Sequence, residues 1–222
     1  MKEDNKTVSI EEIVNMISHD IRNPLAAIKN GIYYIGYSVK SDNPRVKITV
    51  DIINKEIDNI KKILDDLTGY SRQREQSLCD VNVGMLADEI LAEIKIPDNI
   101  IILKDIDESL PDYLLDREEM RQIITNVVNN AWQSCDKEEC RVSIRIFQDS
   151  NGNLNIGISD NGIGIADENK DRIFEPFYTT KDGGTGLGLA AVKKLVKRHN
   201  GSVALDSTVG EGTDFIISIP RK

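Results

Sequence analysis

Positive charge is in short supply in this 222-residue chain: 28 Lys and Arg stand against 37 Asp and Glu, a formal charge of −9. Nucleic acid and anionic membrane both require a basic face, so neither is expected as the main partner. Long apolar runs are missing too. A stretch such as Phe215–Ile219, apolar but for Ser218, covers about five residues, far short of the roughly 20 that span a bilayer. No charged, apolar, small-residue leader opens the chain, so the expectation is a cytoplasmic protein with no membrane insertion. Cysteine is scarce: Cys79, Cys135 and Cys140 show no C-x-x-C spacing, and there are only two histidines. That argues against a zinc site or a disulfide framework and predicts three reduced thiols. What remains, 40% apolar and 29% charged residues, suits a chain that builds a core. Its length fits one or two domains.

Up to about residue 78 the texture is helical. Ile10, Val14, Ile17, Ile21, Ile28, Ile32 and Ile35 recur at steps of three, four or seven, and Val50, Ile53, Ile57, Ile60, Leu64 and Leu67 form a second series. Such steps make the seam of a helical bundle, not a strand. Ser9 with Glu12 reads as a capping box, and Val8 with Ile13 as a hydrophobic staple. Asn43 is placed to cap the second helix, with Pro44 at its first position. A lone hairpin cannot surround its own seam, so two chains are expected to form a four-helix bundle.

Residues 79–222 mix strand patterns (100–106, 141–147, 154–159, 202–206, 215–219) with helix patterns (83–95, 116–134, 186–199). This order predicts a two-layer α+β sandwich, a mixed sheet covered by helices on one face. Asp116, with Glu119 one turn on, is expected to cap its helix, and Lys197, Arg198 and Gly201 suit the end of another. His199 reads as a capping or surface residue without a catalytic role.

Several segments stand out from this background. Pro24 lies about 15 residues into a helix, where proline costs about 3 kcal/mol, and the seam gives no reason for it. It closes the run Ser18-His19-Asp20-Ile21-Arg22-Asn23-Pro24. A neutral imidazole is nucleophilic, and an adjacent carboxylate can orient the ring and take its proton. In the second block, Asn126 and Asn130 lie one turn apart on one helix face, where paired amides suggest a polar ligand. Asp160-Asn161-Gly162-Ile163-Gly164 follows a strand pattern. Ile173-Phe174-Glu175-Pro176-Phe177-Tyr178-Thr179-Thr180-Lys181 comes next, then Gly183-Gly184-Thr185-Gly186-Leu187-Gly188-Leu189-Ala190. The glycine-rich run opens a helix, so backbone amides and a helix N-terminus can meet phosphates. It is neither a Walker A loop nor a dinucleotide fingerprint. Gly210-Glu211-Gly212-Thr213-Asp214-Phe215 precedes the last strand pattern.

In this order, over about 210 residues, these segments resemble the catalytic core of sensor histidine kinases, nearest the nitrogen-regulation-like branch. They match its H-box, N-box, G1 box, F-box and lid, G2 box and closing G-x-G-T-x-F. The resemblance implies a dimerisation and histidine phosphotransfer hairpin over 1–78. Over 79–222 it implies a catalytic ATP-binding domain of the GHKL (Bergerat) fold, shared with gyrase, the Hsp90 chaperones and MutL. By the same resemblance His19 is the phosphoacceptor, Asp20 its general base and Asn23 the residue that orients water in a phosphatase reaction. Asn130 would ligate the Mg²⁺ of bound ATP. Asn126, Asp160, Gly162, Gly164, Gly184, Thr185, Gly186, Leu187, Gly188 and Thr213 would bind the nucleotide. Where many members carry a cation three residues after the magnesium Asn, this chain has Gln133, which makes Lys181 on the lid the candidate for the phosphate chain. The implied partners are a second copy, the receiver domain of a response regulator and a separate or missing sensor element. Two alternatives share the fold. ATP-gated clamps carry a Glu four residues before the magnesium Asn, and Asn126 stands there, which favours phosphoryl transfer over hydrolysis. A relay phosphotransferase would have a degenerate nucleotide site, whereas the glycines, Asp160 and Asn130 are in place.

Overall fold

The computed structural model describes residues 10–38, 44–71, 74–181 and 184–221. They divide into two compact units, the first formed by the described residues up to Arg74 with Lys181, Gly184 and Thr185, the second by the rest.

The first unit is built on two helices, α1 (Ile10–Ser38) and α2 (Pro44–Ser71). Arg22 pairs with Asp65 at 2.7 Å and Lys29 with Asp58 at 2.9 Å, so the numbering falls on one helix as it rises on the other: an antiparallel hairpin. Leu25 and Ile32 pack with Ile57 and Leu64, flanked by Val50 and Ile53. Within the single chain the apolar series of α1 divides between two faces. Val14 and Ile32 are buried, while Ile21, Ile28 and Ile35 stay exposed, as do Ile52, Ile60 and Ile63 of α2. Two helices can cover one stripe of each other and no more, so the second stripe is left over. Pro44 opens α2, and α1 continues through Pro24. The Ser9–Glu12 box, the Val8–Ile13 staple and the Asn43 cap fall outside the described residues.

The second unit runs β1 (Leu78–Val81), α3 (Val83–Glu93), β2 (Ile100–Ile106), β3 (Tyr113–Asp116), α4 (Arg117–Gln133), β4 (Cys140–Gln148), β5 (Leu154–Asp160), α5 (Asp167–Lys170), a 3₁₀ turn (Arg172–Phe174), α6 (Gly188–Arg198), β6 (Ser202–Thr208) and β7 (Gly212–Ile219). Five strands form one mixed sheet in the order β2-β4-β5-β7-β6. β2 is parallel to β4 and every other neighbouring pair is antiparallel. β1 and β3, which the sequence patterns did not indicate, form a separate antiparallel pair. Alternate residues such as Val142, Ile144, Ile156, Ile158, Phe215 and Ile217 bury one sheet face. They share a core with Leu86 of α3, Ile123 and Val127 of α4, and Val192 and Val196 of α6. That is the expected two-layer sandwich.

Asp116 caps α4, its Oδ1 accepting from the amides of Glu118 and Glu119 at 3.1 Å each. The Glu119 side chain turns elsewhere, onto Arg198 at 3.1 Å and His199 Nε2 at 3.2 Å, and it accepts from Gln76 Nε2 at 3.0 Å. His199 is therefore no surface residue: it is fully buried at the end of α6. Asn200, not Gly201, takes the left-handed conformation there, with φ of 59°. Gly201 N donates to the Val196 carbonyl and Asn200 N to that of Lys197, the pairing of a Schellman motif. The thiol expectation is also corrected. Cys135 and Cys140 are joined as a disulfide in the α4–β4 loop, which brings their Cα atoms to 6.0 Å, within bridging reach. Cys79 is an exposed free thiol.

Candidate functional site

On α1, His19, Asp20 and Asn23 all face solvent, His19 with 75% of its side chain exposed. Helical register is the cause. Ser18 and Leu25 are drawn into the contact with α2, which leaves the residues between them outward. Thr68 Oγ1 donates to Ser18 Oγ at 3.1 Å, and Arg22 pairs with Asp65. The turn carrying His19 is thus fastened to α2 on both sides of the histidine. Asp20 Oδ1 stands 3.5 Å from His19 Nδ1, at the outer limit of a hydrogen bond. With Nδ1 facing a carboxylate, Nε2 is the ring nitrogen available for chemistry. Asn23 lies one helical turn after His19, on the same face.

In the second unit, two of the segments singled out in the sequence, 160–164 and 210–215, meet at the end of β5. Asp160 is the last residue of that strand, with Thr213 of β7 as its register partner. Its Oδ1 accepts from Gly162 N at 2.8 Å and closes the turn that follows. Gly164 holds φ of 69°, and a Cβ there would strike the Thr208 carbonyl. A Cβ on Gly162 would strike the Ser134 carbonyl. Ile163 bridges two segments, its amide donating to Ser134 O at 3.0 Å and its carbonyl accepting from Gly210 N at 2.8 Å. The end of α4 and the β6–β7 turn are thereby fixed against Asp160–Gly164. Thr213 is buried, with Oγ1 3.0 Å from Ser207 Oγ. Ser207 also accepts from Ile165 N and donates to Gly212 O, both at 2.8 Å. No sequence pattern marks Ser207: only strand pairing brings it to the site.

Asn126 and Asn130 share one half-buried face of α4. Asn126 Nδ2 donates to the Gly188 carbonyl at 3.2 Å, tying α4 to the start of α6. The neighbouring Asn129 is spent on packing, accepting from Trp132 Nε1 at 3.0 Å. Gly186 has φ of 66° and accepts from Phe177 N at 3.0 Å, Leu187 is buried, and α6 starts without a side-chain cap. Lys181, Gly184 and Thr185 belong to the first unit. Gln133 is exposed. Among the described residues, no three His, Cys, Asp or Glu side chains converge as a metal cage.

A carboxylate at a strand end, with glycine backbone beside it, suits a flat base bearing an amino group. An amide oxygen on the adjoining helix and an open helix start suit phosphates and a hard cation.

Comparison with known proteins places the chain beside histidine kinases. A family model described as "Histidine kinase-, DNA gyrase B-, and HSP90-like ATPase" matches residues 115–222, and one described as "His Kinase A (phospho-acceptor) domain" matches residues 9–76. The signal transduction histidine-protein kinase AtoS of Escherichia coli is 29% identical over 99% of this chain and 36% of its own length. The sensory histidine kinase/phosphatase NtrB of Vibrio alginolyticus is 28% identical over 94% of this chain and 61% of its own. The chain thus spans between about a third and two thirds of these relatives. Full-length ShkA in complex with AMPPNP superposes with a TM-score of 0.80 at 25% identity, covering 96% of this chain and 46% of that one. The catalytic domain of histidine kinase ThkA gives 0.58 at 30% identity over 66% of this chain and 97% of that one. ThkA in complex with response regulator protein TrrA gives 0.69 at 26% identity over 95% and 61%. No helix among the described residues is long and apolar enough to cross a membrane.

Proposed function

Because the chain belongs to the histidine kinase family, we propose that it binds ATP in its second unit and transfers the γ-phosphoryl group to His19. The observation that carries this reading is the meeting of Asp160–Gly164 with Thr213 at one strand end, on a unit whose Asn126 ties α4 to the start of α6 at Gly188, in a chain that also presents an exposed His19 beside Asp20. In this reading residues 79–222 are the catalytic ATP-binding domain and 1–78 the dimerisation and phosphotransfer hairpin of a homodimer, acting in the cytoplasm.

Asp160 accepts from the adenine amino group, with Thr213 alongside, and Gly162 and Gly164 let backbone approach the base. Gly184, Thr185, Gly186, Leu187 and Gly188, with the first amides of α6, cradle the phosphates, and Lys181 is the cation for the phosphate chain. Asn126 has its amide on the Gly188 carbonyl and offers no base, so hydrolysis is not promoted from that position. Asn130 presents one amide oxygen, a hard donor of the kind magnesium accepts, and is the residue that would hold the ion; bound there, Mg²⁺ neutralises phosphate charge. His19 Nε2 attacks the γ-phosphorus, the bond to the β,γ-bridging oxygen breaks and ADP leaves, while Asp20 orients the ring and takes up the Nδ1 proton. The phosphoryl group then passes to an aspartate of a response regulator, in line with ThkA having been solved with TrrA. Asn23 orients the water that later removes it from the regulator, in line with the name kinase/phosphatase carried by NtrB.

The test is incubation with γ-labelled ATP and Mg²⁺. Label that is stable in base and lost in acid is expected on the wild type and absent from His19→Ala and Asn130→Ala. Equal labelling of His19→Ala would contradict the phosphoacceptor assignment.

A further inference from the structure

We propose that the Cys135–Cys140 disulfide is a redox-responsive strut beneath the adenine-binding turn, so that thiol–disulfide exchange in the α4–β4 loop sets how firmly ATP is held. The inference rests on reading Asp160–Gly164 as the adenine site. Both ends of this loop are stitched to that turn. At one end Ser134 O accepts from Ile163 N at 3.0 Å, and Gly162 lies so near Ser134 that no Cβ would fit. At the other, Asn161 Nδ2 donates to Glu139 O at 2.9 Å, and Asn161 Oδ1 accepts from Arg141 N at 2.8 Å. In the middle of the loop, Lys137 Nζ donates to Gly210 O at 2.9 Å, and the amide of Gly210 holds Ile163 O.

Cys135 adjoins Ser134, and Cys140 stands between Glu139 and Arg141. The bridge therefore fixes the separation of the two anchor points that grip Asn161 and Ile163. Asp136, Lys137, Glu138 and Glu139 between them are exposed. Opening the bridge enlarges the set of loop conformations and weakens the grip on the turn. The chemistry balances with a low-molecular-weight thiol as reductant. Its thiolate attacks one sulfur, the other leaves as a thiolate and is protonated, and a second thiol resolves the mixed disulfide. One protein disulfide and two small thiols become two cysteine thiols and one small disulfide, with two electrons and two protons passed to the protein. Disulfides in a reducing compartment are characteristically transient and sensing, which suits a strut rather than a staple.

The test compares the full chain, purified without reductant, before and after dithiothreitol. Alkylation of the unfolded, untreated chain is expected to find one thiol, that of Cys79, out of three cysteines. Calorimetric titration with ATP and Mg²⁺ is expected to show binding about fivefold weaker after reduction, the order that one or two loosened hydrogen bonds give. The double variant Cys135→Ser/Cys140→Ser should bind as the reduced chain does and ignore dithiothreitol, while Cys79→Ser keeps the response. Without nucleotide, amide exchange at Gly162 and Ile163 should quicken on reduction. Three alkylatable thiols in the untreated chain, or equal affinity in both redox states, would overturn the strut alone. No ATP binding in either state would overturn the adenine-site reading and the strut with it.

Discussion

Asp160 closes its own turn through Gly162 N and, in the proposed reaction, holds the adenine. A charge-assisted hydrogen bond is worth about 1.5–3 kcal/mol, so Asp160→Asn should weaken ATP binding by roughly ten- to a hundredfold. Titration calorimetry reads this directly, and an unchanged affinity would remove Asp160 from the base-binding role. Glu119 poses a separate residue-scale question. It is buried, with Arg198, His199 and Gln76 all turned to its carboxylate. Glu119→Ala leaves those groups without their acceptor and should cost about 3 kcal/mol in urea denaturation of the whole chain; a loss within about 0.5 kcal/mol would show that the cluster merely coexists with the fold. The segments holding His19, Asp160 and the glycines could be picked out in the sequence because several short runs of unusual residue types occur in one order along the chain. Glu119, His199 and Ser207 were not, because their partners come from distant strands and helices and nothing local announces the meeting.

At the scale of elements, the β4–β5 connection shows what a single side chain can organise. Asp149 accepts from the Asn153 side chain at 2.9 Å, from its amide at 2.9 Å and from Asn151 N at 2.8 Å. The Asn153 side-chain bond above all, then its amide, holds the Asp149 carboxyl below the usual carboxylate range. A depressed folded value means that the stabilisation is fully present above the unfolded pKa and is lost as pH falls through the folded one. The stability difference between wild type and Asp149→Ala should therefore be complete at neutral pH and shrink on acidification. A pH-independent difference in denaturation midpoints would contradict that. The longer elements were readable because period and caps agree over many residues, as in α4 from its Asp116 cap onward. β1 and β3 escaped because each is four residues long, and three of the four in β1 are exposed, so no alternation can be seen. On α1 one list of isoleucines serves two faces, one packed on α2 and one left exposed in the single chain.

For the molecule as a whole, the second apolar stripe is the feature that calls for company. Ile21, Ile28 and Ile35 on α1 and Ile52, Ile60 and Ile63 on α2 remain exposed in the single chain. In the proposed homodimer a second hairpin covers them. Ile28→Asp places a charge in that interface and should convert a dimer at micromolar concentration into monomer in analytical ultracentrifugation, with helix content retained. A wild type that sediments as monomer would contradict the bundle. The net charge of −9 is compatible with the proposed reading, in which one anionic nucleotide would be met locally by backbone amides, Asn130 and Lys181. The claim on which all of this turns is that the two units work on one reaction, the second holding ATP and the first offering His19. Its most direct test is peptide mapping by mass spectrometry, under neutral to alkaline conditions, after incubation with Mg-ATP. The account predicts one phosphopeptide with the modification on the imidazole of His19, and a much smaller yield of it from Asp160→Asn when ATP is held near the wild type's Kd. Phosphate mapped to any other residue, or a His19 that stays unmodified while ATP is bound, would contradict it.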